Sequence, residues 1–154
     1  MTLTSERVAP TAVVFRRRFK APPERVWNAH FSEHLVPKWM GGYEGWTMPD
    51  CSIDAREGGG FRFGFAHPEE EGFAISGTYE TLDPPNRSVH HEQMHLPGFT
   101  TPLARVETVF EPHGTGTAMT MTISCDNAED MDQMLATGME DGMEHTYAAL
   151  DRVA

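Results

Sequence analysis

The feature that constrains the fold most is a long region, residues 47–124, in which apolar and polar residues alternate. Side chains of an extended chain point alternately to the two faces of a sheet, so a period of two predicts strands with one buried face. Turns that contain Gly, Pro or Asn divide the region into six predicted strands. These strands are residues 47–55, 60–66, 73–82, 88–96, 103–111 and 115–124. Short turns between consecutive strands favour an antiparallel sheet with one buried face.

The residues before this region predict a strand followed by two short helices. Residues 11–20 alternate, and one face carries Val13, Phe15, Arg17 and Phe19. The sequence Ala21-Pro22-Pro23 ends the strand because proline cannot donate to a sheet and suits the first turn of a helix. The first helix carries Val26, Trp27 and Ala29, and the second is predicted at residues 32–39 with Ser32 as its N-cap. The basic run at residues 16–18 is interpreted as solvated charge.

Residues 128–153 predict one long amphipathic helix. Their apolar residues recur at i, i+3 and i+4, and Asp126 or Asn127 is a suitable N-cap. Gly138 and Gly142 fall within this helix, where each costs about 1 kcal/mol relative to alanine. We expect a packing reason for that cost, namely a close approach of the helix to the sheet.

Composition excludes several classes of function. The chain of 154 residues has 12 Lys+Arg against 23 Asp+Glu, and a net charge of −11 disfavours nucleic acid and anionic membranes as partners. We expect no membrane insertion, because no apolar run approaches the roughly 18 residues of a membrane span. Cys51 and Cys125 lack a CxxC spacing and are interpreted as reduced thiols. The expectation is a cytoplasmic protein without a signal peptide, either a monomer or a homodimer.

A set of short motifs occurs in a fixed order over residues 13–152. Among them are Arg17-x-Phe19-x-Ala21-Pro22-x-x-x-Val26-Trp27-x-Ala29, Gly45-Trp46-Thr47-x-Pro49, Arg56-x-Gly58-Gly59-x-Phe61-Arg62-Phe63, Gly77-x-Tyr79-x-x-Leu82-x-Pro84-Pro85 and Gly138-Met139-Glu140-x-Gly142. The set resembles the START-like (SRPBCC, Bet v 1-like) superfamily, in the branch similar to the activator of heat-shock protein 90 ATPase homologue domain.

The order of elements and this resemblance imply an α+β helix-grip fold. A curved antiparallel sheet of about seven strands would wrap around a long C-terminal α-helix, with two short helices after the first strand. We predict that the chain consists of a loose or disordered tail at residues 1–10 and a single START-like domain at residues 11–154. We expect Trp27, Phe61, Phe110 and Leu150 to be structural.

A concave sheet with one helix leaves a cavity between them, which the resemblance associates with lipid-like, polyketide or similar ligands. We predict that thirteen residues line it: Trp39, Phe63, Tyr79, Thr81, His90, Glu92, Val106, Thr108, Met119, Met121, Leu135, Met139 and Met143. Methionine is flexible and polarizable, which suits an adaptable cavity but also simple core filling. His90, Glu92 and Thr108 would orient the ligand.

The strand at residues 88–96 (SVHHEQMHL) is rich in histidine. Alternation places His90 with Glu92 on one face and His91 with His95 on the other. His91 and His95 would stand roughly 13 Å apart, too far to share a metal ion, so we predict no metal and no cofactor. The strand is either a polar lining or exposed edge, or a site of proton transfer by His90 with Glu92, or by His91 with another partner.

Three functions remain open on the sequence alone. The first is binding of a small hydrophobic or amphipathic molecule. The second is an enzyme of cyclase, hydrolase or isomerase type that uses histidine and glutamate in the cavity. The third is a co-chaperone of the heat-shock protein 90 ATPase, although the activators that this domain resembles carry a further N-terminal domain. The family that this sequence resembles often has Glu where Thr81 stands. If that glutamate is part of a family pocket, its role is either absent here or has moved to Glu80 or Glu92.

Overall fold

The alternating segments form one curved antiparallel sheet in the computed structural model, which describes residues 2–154. The nine strands of this part of the chain are β1 Thr4–Ala9, β2 Ala12–Phe19, β3 Thr47–Ile53, β4 Gly60–Ala66, β5 Phe73–Asp83, β6 Arg87–Leu96, β7 Phe99–Thr100, β8 Ala104–His113 and β9 Gly116–Ser124. The helices are α1 Pro23–Phe31, α2 Val36–Met40, α3 Ala128–Leu135 and α4 Met139–Val153, and a short 3₁₀ turn occupies Tyr43–Gly45. The helix-grip fold is confirmed, and the predicted strands match to within two residues at each end.

The strand order is β1-β2-β9-β8-β6-β5-β4-β3, with the short β7 paired to β6. The C-terminal β9 therefore lies between the N-terminal β2 and β8, while β3 to β6 follow one another as hairpins. One row of register partners crosses the sheet on its interior face and consists of Val13, Ile123, Val106, His90 and Tyr79.

Two expectations about the ends of the chain were wrong. Residues 4–9, taken as a loose tail, form β1, whose backbone pairs with β2; Met1 lies outside the described residues. The predicted single C-terminal helix is divided into α3 and α4 at Gly138, which has a φ of +70°. That left-handed conformation cannot belong to a helix interior and favours glycine. The predicted N-cap of the first part is confirmed as Asn127, whose side chain accepts a bond of 2.8 Å from the Asp130 backbone.

Two smaller predictions also need correction. The second short helix begins at Val36, not near Ser32, because Pro37 occupies its first turn. Ser32 instead ends α1, and its hydroxyl accepts a 3.2 Å bond from the Leu35 backbone. Gly142 needs no close approach to the sheet, since an added Cβ would meet only the Tyr43 ring at 3.7 Å, an ordinary contact.

The buried residues form two clusters on the interior face. The first lies between α4, α1 and the strands β2, β8 and β9, and its largest members include Phe15, Phe19, Phe110, Met119 and Leu150. The second lies on β4 and β5 beneath α2 and β3, and consists of Val36, Met48, Phe61, Phe63, Phe65 and Tyr79. We call β2, β8 and β9 the covered half of the sheet, and β4, β5 and β6 the open half.

Arg17 is buried within the first cluster, so the interpretation of residues 16–18 as solvated charge is wrong at this position. Its side chain is 3% exposed and bonds to Glu144 at 3.0 and 3.1 Å and to Asp151 at 3.5 Å. Glu144 also accepts from the Leu3 backbone at 2.6 Å, and Asp151 from the Lys20 backbone at 2.9 Å. These bonds hold α4 against β2, and the guanidinium lowers the pKa of Glu144.

Candidate functional site

Polar side chains meet inside the molecule where the two apolar clusters adjoin. We call this region the central cleft and define it by His30 from α1, Tyr79 from β5, His90 and Glu92 from β6, and Tyr147 from α4. The charge of His90 affects the pKa of His30, and the charge of Glu92 affects that of Tyr147, so these groups are electrostatic neighbours.

His30 lies one helical turn after Val26 on the buried side of α1. Its Nδ1 is 2.8 Å from the Val26 carbonyl oxygen, which can only accept, so Nδ1 carries the hydrogen. The imidazole packs against Trp39 and Phe110 with ring centroids 5.1 Å away in each case. Burial, with a smaller contribution from His90, lowers the pKa of His30 to about 4. The ring is therefore neutral at pH 7, and its Nε2 presents a lone pair.

His90 and Glu92 form a hydrogen-bonded pair on the interior face of β6. The distance between His90 Nε2 and Glu92 Oε1 is 2.6 Å, and both side chains are only partly buried. The rings of His90 and Phe61 are nearly perpendicular, with centroids 5.2 Å apart and an angle of 88° between their planes. The expectation that alternation places His90 and Glu92 together is thus met by the geometry.

Two tyrosines border the cleft. Tyr147 donates to the Met121 sulfur at 3.7 Å, a weak bond, and burial raises its pKa far above the usual value. Burial also raises the pKa of Tyr79, whose ring stands 6.4 Å from His90. Both hydroxyls are therefore protonated donors throughout the ordinary pH range.

Several polar atoms of the cleft have no hydrogen-bond partner within residues 2–154. They include Nε2 of His30 and the hydroxyl oxygen of Tyr79, and also Nδ1 of His90 and Oε2 of Glu92. Over the same residues, no fully enclosed side-chain nitrogen or oxygen lacks a partner. These atoms therefore border accessible space, and water or a ligand can reach them.

The other predicted lining residues divide into core and partly buried positions. Trp39, Phe63, Val106, Thr108, Met119 and Met121 are buried, and the indole of Trp39 donates to the Ala29 carbonyl at 2.8 Å. Leu135, Met139 and Met143 are partly buried and pack against the first cluster. These three side chains lie on α3 and α4, on the helical side of the cleft.

Thr81 does not face the interior, which corrects the prediction made from its alternation with Tyr79. A bulge at Glu80 shifts the register, so that Tyr79 pairs with His90 but Thr81 pairs with Val89. Register partners share a face and neighbouring residues of a strand alternate, so Thr81 lies on the face opposite His90.

His91 also lies on the outer face, where it bonds to Glu80 at 2.9 Å. Arg105 reaches the same carboxylate at 3.4 Å, and these partners lower the pKa of Glu80. His91 is thereby separated from His90 by the sheet. Of the two residues to which a family glutamate could have moved, Glu92 faces the interior and Glu80 does not.

The cysteine thiols and any cluster of possible metal ligands are the other candidates for reactive groups in the described residues. Burial, with the carboxylates of Glu33 and Asp50, raises the pKa of Cys51 to about 11, and burial raises that of Cys125. Both thiols are protonated at neutral pH and are poor nucleophiles. Within the part of the chain that the structure describes, no group of three or more His, Cys, Asp or Glu is placed to hold a metal ion.

A surface pocket of about 320 Å³ lies beside the cleft. Its lining comprises Trp27, Phe31, Ala55, Arg56, Glu57, Leu82 and Pro84. Phe31 stacks on Trp27 in this pocket at 4.4 Å and contacts Tyr79 at 5.5 Å, so it stands between the pocket and the cleft. A second pocket of about 340 Å³ lies apart, near Phe65, Phe73 and His95.

His30 is a site residue that sequence reasoning missed. Tyr147 belongs to the apolar stripe of the last helix, where an aromatic residue is usually core. His30 follows Val26 by four residues and Trp27 by three, which places a titratable group on the buried side of a short amphipathic helix. The position of His30 on the buried side of this helix was the sequence signal that could have identified it as a site residue.

Comparisons with known proteins place this geometry in a family. A protein from Rhodobacter sphaeroides has a crystal structure that matches with a TM-score of 0.86 and 29% identity, over 97% of this chain and 95% of that one. A crystal structure from Mycobacterium smegmatis matches with a TM-score of 0.84 at 22% identity, over 97% and 95% of the two chains, and one from Nitrosomonas europaea with 0.81 at 21%, over 94% of each. No functionally curated protein matched the sequence.

Residues 20–154 match the family model described as Activator of Hsp90 ATPase homolog 1-like protein. Within residues 2–154, none of the helices is long and apolar enough to cross a membrane. The match spans most of the chain and agrees with the sheet and helices described above. The chain therefore belongs to the Activator of Hsp90 ATPase homolog 1-like family, within the START/SRPBCC fold.

Proposed function

We propose that this protein binds a small hydrophobic or amphipathic molecule, such as a lipid or polyketide, in the central cleft between the sheet and the helices α3 and α4. The observation that carries this proposal is a set of polar atoms without protein partners in the described residues, His30 Nε2 and the Tyr79 hydroxyl among them, within largely apolar surroundings. Ligand sites are mostly apolar with a few polar groups that fix orientation, which is the pattern found here.

The helical side of the cleft supports the same proposal. Leu135, Met139 and Met143 pack against the first cluster and are only partly buried. Methionine side chains can change rotamer at low cost to fit irregular ligands. The pocket beside Phe31 would serve as the entrance, since that ring separates it from Tyr79.

The test is binding of a neutral hydrophobic fluorescent probe, N-phenyl-1-naphthylamine. Met139→Trp adds bulk to the cleft and is expected to weaken probe binding while the melting temperature stays near that of the parent. Leu103→Trp is the matched control, because Leu103 is an exposed large apolar residue on the surface. Equal binding by the parent and Met139→Trp, or no binding by the parent, would contradict the proposal.

A second experiment concerns the natural ligand. Native mass spectrometry of the freshly purified protein is expected to show a co-purified small molecule of low polarity. His90→Leu removes a polar group from the interior face and should change which molecules are retained more than it changes affinity for the probe. An unchanged set of retained molecules would show that His90 does not orient the ligand.

An enzymatic function is a second candidate, and the 2.6 Å bond between His90 and Glu92 favours it. A histidine paired with a carboxylate beside a cleft is a suitable general acid or base for a cyclase, hydrolase or isomerase. Turnover would follow a bell-shaped pH profile that disappears in His90→Ala. His91→Ala is the control, since His91 lies on the outer face with Glu80.

The family description gives a third candidate, activation of the heat-shock protein 90 ATPase. A pulldown and an ATPase stimulation assay test it directly, and stimulation by Met139→Trp equal to that by the parent would separate it from ligand binding.

We infer a cytoplasmic location, which the two unpaired cysteines support. Size-exclusion chromatography would decide between monomer and homodimer.

A further inference from the structure

The chemical state of His30 limits what its free nitrogen can bind. The Val26 carbonyl takes the hydrogen of Nδ1 at 2.8 Å. Burial keeps the ring neutral at pH 7, so Nε2 is an acceptor and not a donor. A polar ligand group that satisfies Nε2 must therefore bring a hydrogen of its own.

The charges around the cleft disfavour an anionic ligand. Glu92 contributes a carboxylate from β6, and burial together with this charge raises the pKa of Tyr147. Arg17 approaches from β2, but its guanidinium is already bonded to the two carboxylates of Glu144 and Asp151. A ligand carboxylate would meet Glu92, whose bonded partner His90 is the other ionisable group on that face of β6, and it would bring no hydrogen to Nε2 of His30.

The walls around His30 are aromatic. Trp39 and Phe110 pack at 5.1 Å from the imidazole and Tyr147 at 6.4 Å, measured between ring centroids. These rings suit a flat apolar body. Tyr79 adds a hydroxyl with no protein partner within the described residues, which can accept from a ligand or donate to it.

Resting on the ligand binding proposed above, we infer that the ligand carries a neutral hydroxyl group, a phenol or an alcohol, which donates a hydrogen bond to Nε2 of His30. The hydroxyl supplies the donor that Nε2 lacks and brings no charge toward Glu92. His30 is thus the residue that selects hydroxylated ligands over ethers and carboxylates of the same shape.

Three naphthalenes separate these chemistries: 1-naphthol, 1-methoxynaphthalene and 1-naphthoate, each measured at neutral pH by displacement of N-phenyl-1-naphthylamine. The parent is expected to bind 1-naphthol roughly two- to tenfold more tightly than 1-methoxynaphthalene, the range of one neutral hydrogen bond. We expect 1-naphthoate to bind most weakly of the three. Tightest binding of 1-naphthoate, or equal binding of all three, would overturn the inference.

The variant His30→Phe keeps a ring of similar size and removes the acceptor. It should lose the preference for 1-naphthol while it retains affinity for 1-methoxynaphthalene. The control His113→Phe changes an exposed histidine and should keep the preference. A preference that persists in His30→Phe would show that another residue receives the hydroxyl.

A measurement on the parent remains decisive if His30→Phe does not fold. Addition of 1-naphthol should move the nitrogen NMR resonance of the unprotonated His30 Nε2, and 1-methoxynaphthalene should leave it nearly in place. No movement with saturating 1-naphthol would overturn the inference. Failure of the parent to bind even N-phenyl-1-naphthylamine would refute the ligand-binding function itself, whereas probe binding without preference for 1-naphthol refutes only the hydroxyl selection.

Discussion

Apolar and polar residues alternate in both the covered and the open half of the sheet, but the interior side chains of the two halves are buried to different degrees. In the covered half, the interior residues Phe15, Phe110 and Met119 are 1–2% exposed beneath α4 and α1. In the open half, Phe61, Phe63 and Tyr79 are 4–7% exposed, and the interior positions Ile75 and His90 are only partly buried. The difference is consistent with the proposed function, which assigns most of the stability to the covered half and ligand binding to the open half.

The halves also differ in the use of charge. The covered half buries Arg17 with two carboxylates, and all of these groups are bonded to one another or to the backbone. The cleft side presents His30 and Tyr79 with polar atoms that have no protein partner in the described chain. Satisfied polar groups favour a fixed structure, whereas unsatisfied and accessible ones favour binding.

The largest expected effect tests the difference in packing. Phe110→Ala should lower the free energy of unfolding by about 3–5 kcal/mol, because it leaves a cavity in the covered half. Phe61→Ala should cost less, about 2–3 kcal/mol, since its neighbours border the cleft and can relax or admit water. Urea denaturation measures both, and an equal or larger loss for Phe61→Ala would contradict the proposed division.

The second test concerns the buried charge. Arg17→Met should destabilise the protein by about 3 kcal/mol, because Glu144 and Asp151 lose their cation and remain partly buried. Arg105→Met is the control, since its pair with Glu80 is exposed to solvent and is expected to contribute little to stability. Thermal denaturation at neutral pH compares them, and similar melting temperatures for the two variants would disprove a fixed, stabilising cluster.

The third test uses the pKa of His30, which is lowered from 6.5 to about 4 in the folded protein. Between pH 6.5 and about 4, the imidazole of His30 is protonated in the unfolded chain but neutral in the folded protein. The contribution of His30 to the free energy of unfolding is therefore fully present above pH 6.5 and is lost as the pH falls. The slope is at most about 1.4 kcal/mol per pH unit. His30→Phe should remove this part of the pH dependence, as denaturation between pH 7 and 4 would reveal, and an unchanged slope would contradict the buried neutral imidazole.

The smallest effect distinguishes the two glycines of the C-terminal region. Gly142→Ala should stabilise the protein by about 0.5–1 kcal/mol, because Gly142 lies within α4 and an added Cβ meets only the Tyr43 ring. Gly138→Ala should destabilise it by about 1 kcal/mol, because its φ is +70°. Differential scanning calorimetry can resolve the opposite signs; a loss of stability in Gly142→Ala would mean that the helix needs that glycine.

Local patterns predicted the fold well because each strand of residues 47–124 carries its own alternation and its own turn. The interior position of His90 beside Glu92 follows from that alternation too. Thr81 was misplaced because a bulge adds one residue, Glu80, to β5, and a period-two pattern contains no mark of the register with the neighbouring strand. The break at Gly138 was missed because the apolar stripe continues on both sides of it.

Other features depend on residues far apart in the chain and had no local signal. Arg17 has the pattern of a solvated charge until Glu144 and Asp151 arrive from α4. β1 is a polar segment, burying little surface, whose structure depends on pairing with β2. His30 becomes a site residue only because β6 and α4 bring His90, Glu92 and Tyr147 toward it.

The strand order has a consequence for how the molecule folds. β3 to β6 pair with their sequence neighbours, whereas β2 pairs with the distant strand β9. Arg17 on β2 likewise bonds to Glu144, which lies 127 residues away in the sequence. Contacts between distant segments form slowly, because a long loop must close before they are gained. We therefore expect the hairpins of the open half to form first and the covered half to assemble last, so that Phe63→Leu slows refolding whereas Leu150→Ala mainly accelerates unfolding in stopped-flow measurements.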